Sequence, residues 1–442
     1  MSRGDSAGVG GPIGRLGDTS GARAHQPAGV RVVMDVRSLQ EPTRAPRTAA
    51  YLEGLLGAFD AAPLSGESFV FLLASDEDDP TRRFAHLEVV GRRLLPPTRL
   101  LRSGVLTIDP FVLRGASVGA AWRAERGGAA GAVYHAAGGG LPIASGLPTV
   151  VTLLDLAPWE LPQAFQRGAA SRFGQRLRGQ LLRDASAVLV GTDAVARAAR
   201  KLLHLRRERI HIVPLAPRPA YAAAGAKRVG AETGADRAVA DRLGLDGPYL
   251  VYPGRHDVRQ DAATMMSALA GLAATERPSD LSATTPWPPR LLVLDATPGD
   301  RASIARVAAR LGASDHLIYA PKLSDAEEAG LVAGARAVIL PVVSESSGLA
   351  AIDALAAGTP VIASTVGALP EIVATAGILV EPRDPERLAA AITTAWGESP
   401  AQQTIARAAT ERASGTAVAV RTWADVARDV RSIYAAVGRP RG

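Results

Sequence analysis

Cysteine is absent from the 442-residue chain, which excludes disulfide staples and thiolate metal sites. Lysine is nearly absent as well: Lys201, Lys227 and Lys322 are the only ones, so almost all positive charge is arginine. Aromatic residues make up 4%, too few to interleave with the basic residues as a stacking platform. The net charge of +7 therefore does not point to nucleic acid, and no nucleic-acid partner is expected. No run approaches the roughly 18 apolar residues of a membrane span. The opening "MSRGDSAGVGGPIGRLGDTSGARAHQ" is rich in Gly and Arg and lacks the apolar centre of a secretory signal. Residues 1–29 are expected to be a disordered leader, and the cytoplasm is the expected compartment.

What the chain does contain is alternation. From Val30 onward, "VRVVMDVR" predicts a buried parallel strand, "TAAYLEGLLGAFDAA" a helix and "FVFLLAS" a second strand. Further strands are expected at "AVYHAA", "TVVTLLDL", "AVLVGT" and "IHIVPLA". After Pro214 the strand pattern stops, and the Pro, Ala and Gly content suits a linker over residues 217–244. The rhythm then restarts with strands at "YLVYPG", "RLLVLDA", "HLIYA", "AVILPVV" and "PVIAS", separated by helical stretches. Strands alternating with helices imply parallel sheets covered on both faces. The expected class is α/β, with two doubly wound Rossmann-like domains, residues 30–216 and 245–416, facing a central cleft. Such sheets bind ligands outside the carboxyl ends of their strands.

One stretch carries chemistry. "PVVSESSGLAAIDALAAGTPVIAS", Pro341 to Ser364, sets Glu345 and Asp353 in a segment that otherwise avoids charge. Gly358 and Pro360 stop its helix, which is expected to start near Ser347 or Gly348 with a serine available as N-cap. Glu345 then lies on the strand-to-helix loop and Asp353 on the helix. Free N–H groups of Gly348 and Leu349, at the positive end of the helix dipole, make a ready phosphate site, and Glu345 is placed to accept hydrogen bonds from polyol hydroxyls. The bland alternative is that Glu345 favours the helix N-terminus and Asp353 is a solvated face residue.

The text "VVSESSGLAAIDALAAGTPVIASTVGALPEIVATAGILVEPRDPERLAAAI" closely resembles the C-terminal signature of retaining GT-B glycosyltransferases of family 4 (glycosyl transferase group 1). "VRVVMDVRSL", "VVTLLDLAP", "RIHIVPLAP" and "GLDGPYLVYPGR" resemble further segments of that family in the same order. "RTWADVARDVRSIYAAV" resembles its terminal helix, so residues 417–438 are expected to return to the N-terminal domain. The resemblance implies a nucleotide-diphosphate sugar bound by the C-terminal domain, with a glycan or lipid-linked acceptor against the N-terminal one. Glu345 then contacts the donor sugar, Asp353 the ribose, and the N–H groups of Gly348 and Leu349 the phosphates. Arg255 takes the place of the family's cationic clamp on the leaving diphosphate, with Arg259 and Gln260 beside it. Asp155, in the "VVTLLDL" segment, joins Glu345 and Arg255 as a catalytic candidate. No metal and no cofactor is expected.

The site departs from the family pattern in four places. The Gly-rich loop appears as "RTAAY", Arg47 to Tyr51; Leu154 stands for a histidine; Gln260 stands for a lysine; and Asp353 is shorter than Glu by one methylene. The expected function is hexosyl transfer with retention; the alternative is a weak or inactive paralogue that binds or scaffolds a partner glycosyltransferase. His135 and His256 are the histidines nearest the expected cleft, and a lone histidine is more often structural. Gly138–Gly140 lines the acceptor side or forms a flexible loop. The basic amphipathic stretch from Arg172 to Arg183 reads as a solvated helix face, with peripheral contact to anionic lipid at the inner face of the membrane as the other reading.

Overall fold

The computed structural model describes residues 30–98, 107–126, 131–138, 140–229, 234–245, 247–279, 281–283, 285–416 and 419–438. The expected leader, residues 1–29, lies outside them, as does Gly139. Among the described residues no helix is long and apolar enough to cross a membrane.

Seven strands form the N-terminal sheet: β1 (Arg31–Asp35), β2 (Ser68–Ala74), β3 (Val89–Leu95), β4 (Ala132–Ala137), β5 (Thr149–Thr152), β6 (Ala187–Val190) and β7 (Ile210–Ile212). All neighbours are parallel, in the order β3-β2-β1-β4-β5-β6-β7. Every residue of β2, "SFVFLLA", is buried, as a strand covered by helices on both faces requires. β3 was not expected from the sequence. It is the edge strand, and its alternating exposure admits Arg92 and Arg93, so it lacks the continuous apolar run that marks its neighbours.

Six strands form the C-terminal sheet: β8 (Leu250–Tyr252), β9 (Leu291–Val293), β10 (Leu317–Tyr319), β11 (Ala337–Leu340), β12 (Val361–Ser364) and β13 (Gly377–Val380). Their order is β10-β9-β8-β11-β12-β13, again all parallel. In register, Val338 of β11 lies between Val251 of β8 and Val361 of β12. Both sheets reverse their winding direction next to their first strand, between β1 and β4 and between β8 and β11. A crevice opens beyond the carboxyl ends at each reversal, and the two crevices face one another.

The stretch expected as a linker is helical over Pro219–Val229 and Gly234–Arg242. Tyr221, Ala224 and Gly225 are buried, and both helices pack on the helix Asp325–Gly334 of the C-terminal domain. Alanine-rich text without a strand period fits a packed helix as well as it fits a loop. The final helix, Trp423–Val437, lies against the helix Pro46–Ala61 of the N-terminal domain. Arg431 holds Glu67 there through two hydrogen bonds of 3.0 and 2.6 Å, and Trp423 Nε1 donates to the carbonyl of Pro217 at 2.9 Å.

Candidate functional site

Between the two crevices lies a cavity of about 380 Å³. Asp155, Arg255, Arg259, Gln260, Glu345, Leu349 and Asp353 all line it, together with Arg47, Arg178, Arg218, Asp295 and Glu328. Of the eight residues singled out in the sequence, seven therefore meet at one cavity. The eighth, Gly348, lies directly before Leu349 at the start of the same helix.

That helix is Leu349–Ala356, and its start differs from the expectation. The cap is Gly348 and not a serine: its φ of +65° is left-handed, and a Cβ there would stand 2.1 Å from Ile372 Cδ1. The Gly348 N–H is not free either. Glu345 folds back, so that its Oε1 accepts from Ser347 N at 2.9 Å, Gly348 N at 2.9 Å and Ser347 Oγ at 2.7 Å. The Leu349 N–H faces Ser347 Oγ at 3.5 Å, the outer limit of a hydrogen bond. A helix end needs an acceptor, and here a carboxylate fills the place foreseen for a phosphate. Across the cleft, Arg47 Nη2 meets Glu345 Oε2 at 2.9 Å. Burial opposes ionisation of Glu345, but Arg47 and the hydrogen bonds from Gly348 and Ser347 outweigh it and hold the carboxyl below its ordinary range.

Asp353 is 3% exposed and is not a solvated face residue. Its Oδ1 accepts from the Arg218 N–H at 2.8 Å and its Oδ2 from Arg218 Nε at 2.8 Å. Arg218 also donates to the Tyr221 hydroxyl at 2.7 Å and to Glu328 at 3.3 Å, with its guanidinium 4.3 Å from the Tyr221 ring centre. Burial pushes the Asp353 carboxyl up, against the opposing pull of Arg218.

The clamp segment follows β8. Gly254 has a φ of +70°, and a Cβ there would lie 1.8 Å from the Leu294 carbonyl oxygen. Only glycine permits the turn that aims Arg255 at the cleft. Arg255 reaches the Thr43 carbonyl of the opposite domain, and its Nη1 lies 3.8 Å from Asp300. Arg259 crosses the cleft to Asp155, with Nε–Oδ1 at 3.2 Å, pairs with Asp257 at 2.8 Å and stacks 4.9 Å from the Phe165 ring centre. Burial opposes ionisation of Asp155, but Arg259 prevails and holds the carboxyl below its ordinary range. Gln260 accepts the Asp257 N–H at 2.9 Å and bridges to Val342 beside β11.

A second cavity, about 320 Å³, lies beyond the carboxyl ends of β1 and β4. Its wall holds Asp35 and Asp109, both bound by Arg37 at 2.8 Å, with Gly138 and Gly140 at its edge. Arg178 lines this cavity and the first one. It projects from the helix Ala169–Asp184, the basic amphipathic stretch seen in the sequence. Its Nε is enclosed and has no hydrogen-bond partner among the described residues, its guanidinium lies 5.6 Å from the Trp159 ring centre, and burial pushes its pKa down against the pull of Asp155. On the same helix Phe173 is 56% exposed.

His135 does not reach the cleft. It is fully buried, with Nδ1 2.5 Å from the Tyr434 hydroxyl and Nε2 2.9 Å from Thr152 Oγ1. Burial lowers its pKa to about 3, so it is a neutral core residue. A roomier cavity, about 590 Å³, lies on the other side of the site helix. It is lined by Gly191, Thr192, Leu215, Ile352, Leu355 and Ile372, beyond the ends of β6 and β7, and of the eight residues singled out in the sequence none lines it. Among the described residues, no group of three or more His, Asp or Glu is placed to hold a metal ion.

Sequence reasoning gave no role to Arg47 or Arg218, and it placed Arg178 on a solvated or lipid-facing helix face where the structure has it in both cavity walls. Each meets its site through the fold, from 110 to 298 positions away along the chain in the pairs of Arg47 and Arg218, and no local motif announces such contacts.

Glycosyl transferases group 1 matches the chain over residues 247–398. Over 285 residues the chain is 28% identical to a D-inositol 3-phosphate glycosyltransferase of Jonesia denitrificans, an alignment covering 63% of this chain and 62% of that protein. The chain thus spans less than two thirds of the length of the first curated relatives it matches. Among solved structures, sucrose-phosphate synthase from Thermosynechococcus elongatus superposes with a TM-score of 0.62 at 18% identity, covering 92% of this chain and 98% of that one. Anabaena HepE, solved with UDP and glucose, superposes at 0.60 and 16% identity over 92% and 100%. The chain has the two-domain GT-B architecture of these structures, and its residues 247–398 match the glycosyl transferases group 1 family.

Proposed function

We propose that the protein transfers a hexose from a nucleotide-diphosphate sugar to an acceptor hydroxyl, with retention of anomeric configuration and without a resident metal. The observation that supports this most is the convergence of Glu345, Asp353, Arg255 and Arg259 on one cavity at the N-terminus of a helix, between two facing crevices. The donor lies along the C-terminal wall, its diphosphate near Arg255 and the start of the site helix, its sugar near Glu345. The acceptor enters from the N-terminal cavity. The hydroxyl attacks C1 from the face that the diphosphate leaves; the C1–O bond to phosphate breaks, the new C1–O bond forms, and the hydroxyl proton passes to the departing phosphate oxygen. Arginines hold the charge that develops on that oxygen. The carboxylates around the N-terminal cavity and Arg178, whose Nε lacks a hydrogen-bond partner among the described residues, favour a polyol acceptor carrying an anionic group. That fits the acceptor named for the inositol phosphate relatives and extends the expectation of a glycan or lipid-linked acceptor. Membrane contact through the Ala169–Asp184 helix, a partner glycosyltransferase and a cytoplasmic location belong to the same proposal.

The test is thermal-shift stabilisation by UDP, GDP, ADP and their hexose conjugates, since a ligand that binds only the folded state raises Tm. One nucleotide is expected to give the largest shift. Arg255→Ala is expected to weaken that nucleotide about tenfold or more, on the scale of a charge-assisted hydrogen bond, with little change in the melt of the free protein. A folded protein that responds to none of these nucleotides would falsify the donor reading and leave the binding-partner alternative.

A further inference from the structure

The donor wall has several cations, but most are already committed. Arg259 is held by Asp155 and Asp257, and Arg218 by Asp353 and Glu328. Arg255 spends one terminal nitrogen on the Thr43 carbonyl. Gln260 is neutral, and its side-chain oxygen braces the loop through the Asp257 N–H. A diphosphate that gains charge as it leaves needs more than Arg255 alone.

Arg47 is placed differently. It stands in the first turn of the helix Pro46–Ala61 of the N-terminal domain and lines the same cavity. Among the described residues its single hydrogen bond goes from Nη2 to Glu345 Oε2, one of the five N–H groups that a guanidinium offers. The other oxygen of that carboxylate lies 2.9 Å from Gly348 N. The site helix therefore ends on an anion gripped from the far side by a cation. The electrostatic position of a phosphate at this helix end is already occupied, by Glu345, and Arg47 is the cation that meets it. Glu345 Oε1 already accepts three hydrogen bonds, and Arg47 competes with a sugar hydroxyl for Oε2.

We infer that Arg47 is a donor-binding residue supplied by the opposite domain: it exchanges Glu345 for the leaving diphosphate when the nucleotide sugar enters, and provides the cation that neutral Gln260 does not. The exchange breaks one ion pair and forms another, with no net change in charge. It also releases Glu345 Oε2 to accept from the sugar. This assignment rests on the donor reading above; the contact that Arg47 makes across the cleft passes from Glu345 in the free chain to the diphosphate in the bound one.

The test is calorimetric titration of the full chain with the best-bound of UDP, GDP and ADP and with the matching nucleoside monophosphate. Arg47→Ala is expected to weaken the diphosphate about tenfold or more and the monophosphate about twofold at most, since only the distal phosphate is held from across the cleft. Arg47→Lys should keep most of the affinity. Gln260→Lys added to Arg47→Ala should recover it, because residue 260 lines the same cavity. Removing Arg47 leaves Glu345 without its ion-pair partner, so the comparison is repeated in a Glu345→Gln background, where no unpaired carboxylate perturbs the fold. Equal diphosphate affinity with and without Arg47 in both backgrounds would overturn the assignment, as would parallel loss of the monophosphate and diphosphate. A wild-type chain that binds no nucleotide overturns the donor reading itself and this role with it, an outcome distinct from the other two.

Discussion

Arg218 and Arg178 line the same cavity, yet the fold treats them in opposite ways. Arg218 is well partnered: Asp353, Glu328 and the Tyr221 hydroxyl all accept from its Nε and Nη2. Arg178 keeps an enclosed Nε without a hydrogen-bond partner among the described residues; its guanidinium lies over the Trp159 ring, and burial outweighs the favourable charge of Asp155. A paired buried cation is part of the scaffold, since removing one member leaves the other charged and desolvated. An enclosed N–H without a partner costs stability, and an anion bound beside it would remove that cost. The contrast separates a cation that holds the cleft in shape from one that the proposed acceptor would engage.

The largest expected effect comes from breaking the paired member. Arg218→Ala leaves Asp353 and Glu328 facing each other without a cation. The loss is expected at about 2–3 kcal/mol, below the range for a fully buried pair because Arg218 is one-third exposed and its backbone N–H still serves Asp353. Urea unfolding measures it. Arg218→Ala/Asp353→Asn, which removes the stranded charge, is expected to recover part of the loss. A single variant as stable as the wild type would place Arg218 with the ligand-binding residues and dissolve the distinction.

His135 sharpens the comparison from the neutral side, as a buried group with a partner at each ring nitrogen. Its pKa is lowered to about 3 in the folded chain, against roughly 6.5 when unfolded. As the pH falls the unfolded chain takes up the proton first. The neutral ring's contribution is therefore complete above about pH 6.5 and is lost as the pH falls towards 3, at up to about 1.4 kcal/mol per unit. Urea midpoints at pH 7 and pH 5 are expected to differ more for the wild type than for His135→Gln. Identical pH slopes would mean that the ring is solvated or charged, contrary to its place in the core.

The two halves of the site were not equally legible in the sequence. Glu345, Asp353 and Arg255 stand in short segments whose local pattern of strand, loop and helix places them at a strand's carboxyl end, so their meeting at one cavity follows from topology. Their partners do not follow. Arg47 reaches Glu345 and Arg218 reaches Asp353 across separations of 298 and 135 positions, which only the packed domains create. The self-capping of the site helix by Glu345 was hidden for another reason: a carboxylate three residues before a glycine cap has the same text whether it points to solvent or folds back onto the helix. The edge strand β3 and the helices at 219–242 were missed because half-exposed strands and alanine-rich helices lack the apolar runs that mark buried parallel strands.

Arg178→Met tests the other side of the contrast and carries the smallest stability effect. The methionine removes a desolvated charge and keeps the apolar stem that packs in the wall, so the unfolding free energy is expected to stay within about 1 kcal/mol of wild type or to rise. Binding should separate what stability does not. With the best donor nucleotide present, an inositol phosphate is expected to lose about tenfold in affinity while unphosphorylated inositol is unchanged, because only the anion answers an unpaired guanidinium. Loss of stability comparable to Arg218→Ala, with no change in the phosphate preference, would show that Arg178 has a structural partner and that the N-terminal cavity takes a neutral acceptor. The converse result would place the acceptor's anionic group at the junction of the two cavities and leave its hydroxyl to be aligned by the Asp35–Arg37–Asp109 wall, which holds its arginine between two carboxylates and has lone pairs left to accept from a polyol.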